Sequence, residues 1–185
     1  MRNLFIFIIF ITLGAYAQEL PPIQNFSPLD YDGENQNWAI SQGSDNHIYI
    51  ANNHSLLEYN GVNWRKYASP NNSIIRSVQG AGDQIFTGQY MEFGYWQKNI
   101  FGELEYTSVS DELEIPMVED EEFWNIIRLG DWVLFQSLDR IYSYNVITKD
   151  FKSIEVKATK AQMFRVNESV YFQNQEKHVF RIENG

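Results

Sequence analysis

The chain has 185 residues, with 14 basic against 24 acidic side chains, a net charge of −10 and no cysteine. The absence of thiols excludes a disulfide framework, thiolate metal sites and a cysteine nucleophile. No Lys/Arg cluster is present to neutralise phosphates, so nucleic-acid binding through these residues is not expected, and stability has to come from packing, to which aromatics at 16% of the chain can contribute.

The first residues read as a secretory signal. Arg2 is the positive end, Leu4 to Leu13 is apolar, and Ala15-Tyr16-Ala17 is a small-x-small cleavage pattern, so residues 1–17 are expected to be removed and Gln18 to become the mature start. An apolar run of about ten residues is too short to cross a bilayer, which needs roughly twenty in a helix. The expected location is therefore exported. Residues 18–36 form a lead-in.

Four segments then share one pattern: an apolar anchor, a polar turn, a strand, a second turn and an aromatic-rich strand. Trp38-Ala39-Ile40 leads to Ile48-Tyr49-Ile50 and Leu57-Glu58-Tyr59, and Arg76-Ser77-Val78 leads to Ile85-Phe86-Thr87 and Gly94-Tyr95-Trp96. Trp124-Asn125-Ile126 leads to Val133-Leu134-Phe135 and Tyr142-Ser143-Tyr144, and Phe164-Arg165-Val166 leads to Val170-Tyr171-Phe172 and Val179 to Ile182. Ile48, Ile85, Val133 and Val170 mark starts 37, 48 and 37 residues apart, the 48 being a repeat that carries an insertion. A closing strand is expected at Asn63 to Tyr67, Leu104 to Val109 and Phe151 to Val156. A period near forty built from short β-branched and aromatic runs predicts an all-β fold, a β-propeller of four-stranded antiparallel blades.

The expected boundaries are blade 1 at 37–71, blade 2 with its acidic insertion at 72–122, blade 3 at 123–160 and the start of blade 4 at 161–185. Three blades and part of a fourth do not close a ring, so the chain is expected to be the N-terminal piece of a longer propeller. Tyr59, Trp96 and Tyr144 are expected in the blade cores.

No catalytic motif is found: there is no G-x-S-x-G, no phosphate-binding glycine loop and no H-E-x-x-H. No catalytic residue, metal ligand or cofactor is therefore assigned. His47, His54 and His178 lack a second histidine at ligand spacing and read as surface residues. Asp30-Tyr31-Asp32-Gly33 and the insertion with Asp111, Glu112, Glu114, Glu119, Asp120, Glu121 and Glu122 lack calcium-loop spacing and read as solvated loops, the second kept extended by self-repulsion. The candidate ligand-facing residues are Trp38, Arg76, Trp124 and Phe164, each two residues before an apolar anchor and so at equivalent points on successive blades. Such a ring could stack a sugar or peptide, with Arg76 as a charged donor; packing between blades is the other reading.

The segments Asn37-Trp38-Ala39-Ile40, Ile48-Tyr49-Ile50-Ala51-Asn52-Asn53 and Leu57-Glu58-Tyr59-Asn60-Gly61-Val62-Asn63-Trp64 resemble the two-component regulator propeller repeat, as do Ser73 to Val78 with Glu92 to Trp96. One departure is Asp45-Asn46-His47 where the repeat has Asp-Gly-Asn, which leaves the turn type open. The resemblance implies the periplasmic sensor of a one-chain membrane regulator, followed by a triple-tyrosine β-sandwich, a transmembrane helix and a LuxR-type helix-turn-helix or a histidine kinase. It also implies a small-molecule or glycan ligand, a homodimer, a membrane partner through the helix and DNA through the output domain, none of these later parts being in this sequence. The alternative is a secreted carbohydrate-binding or adhesive propeller, or a propeller-fold lyase with its active site elsewhere.

Overall fold

The computed structural model describes residues 22–185; the expected signal peptide and cleavage site lie outside them. The described chain contains fifteen strands. They are β1 (Asn37–Gln42), β2 (Ile48–Asn52), β3 (Ser55–Tyr59), β4 (Trp64–Ala68), β5 (Ser77–Ala81), β6 (Gln84–Gln89), β7 (Glu92–Lys98), β8 (Leu104–Ser108), β9 (Asn125–Leu129), β10 (Trp132–Gln136), β11 (Arg140–Asn145), β12 (Phe151–Glu155), β13 (Met163–Val166), β14 (Ser169–Gln173) and β15 (Val179–Ile182). Among the described residues, helix is limited to one turn, α1 (Pro28–Tyr31), and a 3₁₀ turn at Ser110–Glu112.

Consecutive strands pair antiparallel into three four-stranded sheets, β1 to β4, β5 to β8 and β9 to β12, and one three-stranded sheet, β13 to β15. This is the propeller-blade architecture that the repeat predicts. Successive first strands adjoin, β5 touching both β1 and β9, and β9 touching β13, so they form the inner edge of the array.

The core lies between the sheets. Side chains alternate across a strand, so β6 sends Ile85 to the seam with blade 1 and Phe86 to the seam with blade 3, while β10 sends Val133 and Phe135 back to blade 2 and Leu134 on to blade 4. A strand buried on both faces reads as a continuous apolar run, which is why Ile85-Phe86 and Val133-Leu134-Phe135 are unbroken by polar residues. The seam between blades 2 and 3 is aromatic: Phe93 lies 4.4 Å from Phe135 and 4.7 Å from Phe123, and Phe86 lies 5.9 Å from Phe135, ring centre to ring centre.

The tight turns use left-handed residues where the chain must reverse. In the first turn Asn46 takes φ 64°, with the Asn46 amide bonding the Gly43 carbonyl at 3.1 Å. Asn46 thus supplies the left-handed conformation that this turn requires. Gly94 has another role. A Cβ there would lie 2.2 Å from the Thr107 carbonyl oxygen on β8, so the close pairing of β7 and β8 needs a bare backbone.

Two sequence expectations change. Trp96 and Tyr144 are buried, but Tyr59 is only half-buried. Its outer face is covered by the lead-in: Tyr59 stacks on Trp64 at 4.6 Å and Phe26 lies 5.0 Å from it, beyond the reach of a repeat-based reading. The Asp30 to Gly33 stretch is not a free loop either. The Asp30 carboxylate accepts from the Ser27 N–H at 2.6 Å and hydroxyl at 2.8 Å, closing the helical turn that buries Tyr31 beside Trp64.

Phe135→Ala is expected to cost about 3–5 kcal/mol, because Phe135 is fully buried against rings that strands from two sheets hold in place. Urea-denaturation midpoints of the two proteins test this, and a loss under about 1 kcal/mol would show that the seam collapses around the cavity.

Candidate functional site

The starts of the inner strands, the β2–β3 and β6–β7 turns, and the β4–β5 and β8–β9 connections all lie at one end of the blades. Three of the four candidate residues meet there. Arg76 just precedes β5, Trp38 is in β1 and Trp124 just precedes β9. The Arg76 guanidinium carbon lies 4.7 Å from the Trp38 ring centre and 4.1 Å from that of Trp124, while the two indoles stand edge-to-face at 6.1 Å. One cation thus sits in the corner formed by two indoles that come from the blades on either side.

Its charge is met by Glu122. Nη2 donates to Oε1 at 2.9 Å, and Nε lies 2.8 Å from Oε2, an ion-pair distance without hydrogen-bond alignment. With indoles on two adjacent sides, its carboxylate partner supplied and its side chain 12% exposed, Arg76 is a positioning residue and not the free charged donor expected from sequence. The outward surface belongs to Trp38 and Trp124, 38% and 37% exposed, with the Trp38 indole N–H donating to Asn53 Oδ1 at 2.8 Å. Phe164 does not join them. It is exposed on β13, and Trp124 faces Arg76 on the opposite side, leaving Phe164 without an aromatic partner across that seam.

The acidic insertion is bound to the blades at its end and is not extended by self-repulsion there. Asp120 takes φ 62°, and the three successive carboxylates meet different donors. Asp120 accepts from the Tyr90 hydroxyl at 2.5 Å, Glu121 is buried, and Glu122 pairs with Arg76. Glu121 accepts from the Ser137 hydroxyl at 2.6 Å, the Tyr142 hydroxyl at 2.7 Å and the Val118 N–H at 3.1 Å. Burial, followed by the bond to this carboxylate, pushes the Tyr142 phenol up to about 12. Repulsion between neighbouring acids loses here because the donors are fixed in place. The signal in the sequence was Arg76 itself, since a guanidinium on an inner strand requires a carboxylate opposite.

At the other end of the blades lies a second polar cluster that the sequence did not reveal. Glu58 on β3 is buried, and its Oε1 lies 2.7 Å from His47 Nδ1 and 2.8 Å from Lys98 Nζ, while Oε2 accepts from the Tyr67 hydroxyl at 2.8 Å. Asp45 accepts from Lys98 at 2.6 Å and from the Tyr49 hydroxyl at 2.8 Å. His47 is therefore not a plain surface residue, whereas His54 and His178 remain exposed. Burial pushes the Glu58 and Asp45 carboxyls up, yet hydrogen bonds and the Lys98 charge outweigh it, and both end below the usual carboxylate range.

A concavity of about 550 Å³ lies elsewhere, between the insertion and β10 to β12. Its cations are already engaged: Lys152 sits 4.2 Å from the Trp132 ring centre and Lys149 5.4 Å from that of Tyr144. The indoles at the axial end are the better candidate because their partners hold them in place while each stays more than a third exposed.

No protein-family model matches the sequence, and no curated protein does. Solved structures share the fold. The extracellular domain of BT3049 from B. thetaiotaomicron, assigned to a hybrid two-component system, aligns with TM-score 0.60 and 14% identity over 86% of this chain and 25% of that one. The extracellular domain of BT4673 from the same organism, also assigned to a hybrid two-component system, gives 0.53 and 16% over 73% and 18%. PorZ of Porphyromonas gingivalis, a surface component of the type-IX secretion system, gives 0.55 and 11% over 79% and 19%. The chain thus spans a quarter or less of each of these structures.

Arg76→Lys should lose the paired contact and the flat stacking surface, for about 1–3 kcal/mol of stability and a red-shifted tryptophan emission as Trp38 and Trp124 loosen. Unchanged emission and midpoint would reject the positioning role. The cluster at the other end predicts a pH dependence. A carboxyl whose folded pKa is lowered contributes stability that is complete above its unfolded value and lost as pH falls through the folded one. The stability gap between the native protein and Glu58→Gln should therefore be constant above about pH 5 and shrink toward pH 3. Urea midpoints across that range measure it, and a gap independent of pH would refute it.

Proposed function

We propose that this chain is a ligand-binding part of the exported, sensory propeller of a membrane-anchored regulator, and that it binds a sugar or another small ring-bearing ligand on Trp38 and Trp124. The observation that carries this reading is the pair of half-exposed indoles locked in place by Arg76 and Glu122. Preorganised aromatic faces lower the ordering cost of stacking a ligand.

The fold likeness to extracellular domains assigned to two-component systems supports the sensory half of the reading. The signal-like first seventeen residues support export, with cleavage after Ala17. In this reading a triple-tyrosine β-sandwich, a transmembrane helix and a LuxR-type or kinase output follow the propeller, and the regulator works as a homodimer. The likeness to PorZ supports a second reading, in which the propeller belongs to a surface component without such an output.

The test has two arms. Oligosaccharides of varied composition are screened against the full-length protein and against Trp38→Ala and Trp124→Ala, each of which should weaken a found ligand about tenfold; affinity unmoved by both places the site elsewhere. The open reading frame beyond Gly185 is sequenced and the mature N-terminus is determined by mass spectrometry. A start at Gln18 and a transmembrane helix leading to an output domain support the regulator, whereas a stop codon after ring closure supports the surface component.

A further inference from the structure

Asp45 and His47 lie in the β1–β2 turn and Glu58 next to the last residue of β3, all on blade 1; Lys98 ends β7 on blade 2. Glu58 is paired across the strands with Tyr49, whose side chain is in the core between these blades, so its carboxylate points at the seam. One ligand atom from each of Asp45, His47 and Glu58 falls within 4.8 Å of the others. The Lys98 ammonium lies among them, 2.6 Å from Asp45 Oδ2, 2.8 Å from Glu58 Oε1 and 3.0 Å from His47 Nδ1.

Two features mark this as a cation site and not a chance ion pair. First, His47 Nδ1 lies 2.7 Å from a carboxylate oxygen and 3.0 Å from an ammonium. Nδ1 cannot both donate to Glu58 and accept from Lys98. In the tautomer protonated at Nε2, Nδ1 accepts from the ammonium and shares that one cation with the carboxylate. Secondly, Glu58 is 3% exposed, and a buried carboxylate needs a counter-ion. Among the described residues its ion-pair partners are His47 on blade 1, charged only when protonated, and Lys98, whose charge arrives from blade 2.

We infer that Asp45, His47 and Glu58 form a three-ligand site for a divalent transition metal, with the Lys98 side chain as its tethered resident cation, and that metal and Lys98 occupy it in alternation. Imidazole with two carboxylates suits zinc or cobalt, and three protein ligands leave an open coordination position. His47 Nδ1 and Asp45 Oδ2 are 3.4 Å apart, close to the separation of two ligands about 2.1 Å from a tetrahedral zinc. Zinc bonds are shorter than the contacts to Lys98, and His47 Nδ1 and Glu58 Oε1, 2.7 Å apart, must open toward the same tetrahedral separation; Asp45 and His47 can move because they lie in a turn, while Glu58 is fixed by its strand.

Zn²⁺ calorimetry, Co²⁺ absorption and thermal melts on the native protein, Lys98→Met and Lys98→Met/His47→Gln test this. Lys98→Met should bind one Zn²⁺ about a hundredfold or more tighter than the native protein, since a unit positive charge at this distance opposes a dication strongly. Its Tm should rise by roughly 5–10 °C at Zn²⁺ a hundredfold above Kd. The double variant should lose both effects, and Co²⁺ in Lys98→Met should show the intense visible bands of a low-symmetry four-coordinate site. Equal affinity in the native protein and Lys98→Met, or equal affinity in the single and double variants, would overturn the inference. Should Lys98→Met not fold unaided, Zn²⁺ must restore its β-sheet circular dichroism; failure to do so there and in Lys98→Gln would overturn it too.

Discussion

The Arg76 guanidinium holds together parts of three blades that share no covalent neighbourhood. Trp38 comes from blade 1, Arg76 from the start of blade 2, and Glu122 with Trp124 from the connection into blade 3. A planar cation can do this where an ammonium cannot, because its extended, weakly hydrated surface meets two aromatic rings while its fixed N–H groups meet a carboxylate. Burial of a charge is tolerable only with such pairing. Each member therefore fixes the others, and the indoles that face outward owe their orientation to a group that a ligand would scarcely touch.

The insertion between blades 2 and 3 acquires its role from the same interaction. Glu122 reaches Arg76, and its neighbours Asp120 and Glu121 reach Tyr90 on blade 2 and Ser137 and Tyr142 on blade 3. Three adjacent carboxylates in water would repel and solvate. Here the left-handed turn at Asp120 and the fixed hydroxyls separate them onto different partners. A ligand acting on the exposed indoles would thus meet a surface already connected, through Glu122, to the segment that ties blade 2 to blade 3.

The blades were legible in the sequence because their signal is local. Alternation, turn residues and the recurrence of Ile48, Ile85, Val133 and Val170 depend only on neighbours along the chain. The meeting of Trp38, Arg76 and Trp124 was legible in part, since equivalent positions in a repeat recur at one radius. The exclusion of Phe164 was not, because it follows from the side of the strand on which Trp124 already has a partner. The environments of His47, Glu58 and Glu121 were hidden for a similar reason. Each depends on a donor dozens of residues away or on the opposite face of a seam, and a lone histidine or an acidic run carries no mark of it.

The seam between blades 1 and 2 shows why polar groups are placed at such sites at all. Its interior is apolar, with Tyr49, Leu56, Ile75, Val78, Ile85 and Trp96 in contact. Apolar contact is non-directional and would tolerate a slide of one sheet over the other. A cation closes the seam at each end: Arg76 among aromatics where the inner strands begin, and Lys98 among Asp45, His47 and Glu58 at the opposite end. Sliding would misalign both at once and leave the Glu58 carboxylate buried without its charge partner. Neither ion pair needs to add much net stability, because desolvation offsets most of the attraction. Their effect is on register. Hydrophobic burial brings the sheets together, and the two cations select which of the packed arrangements is kept.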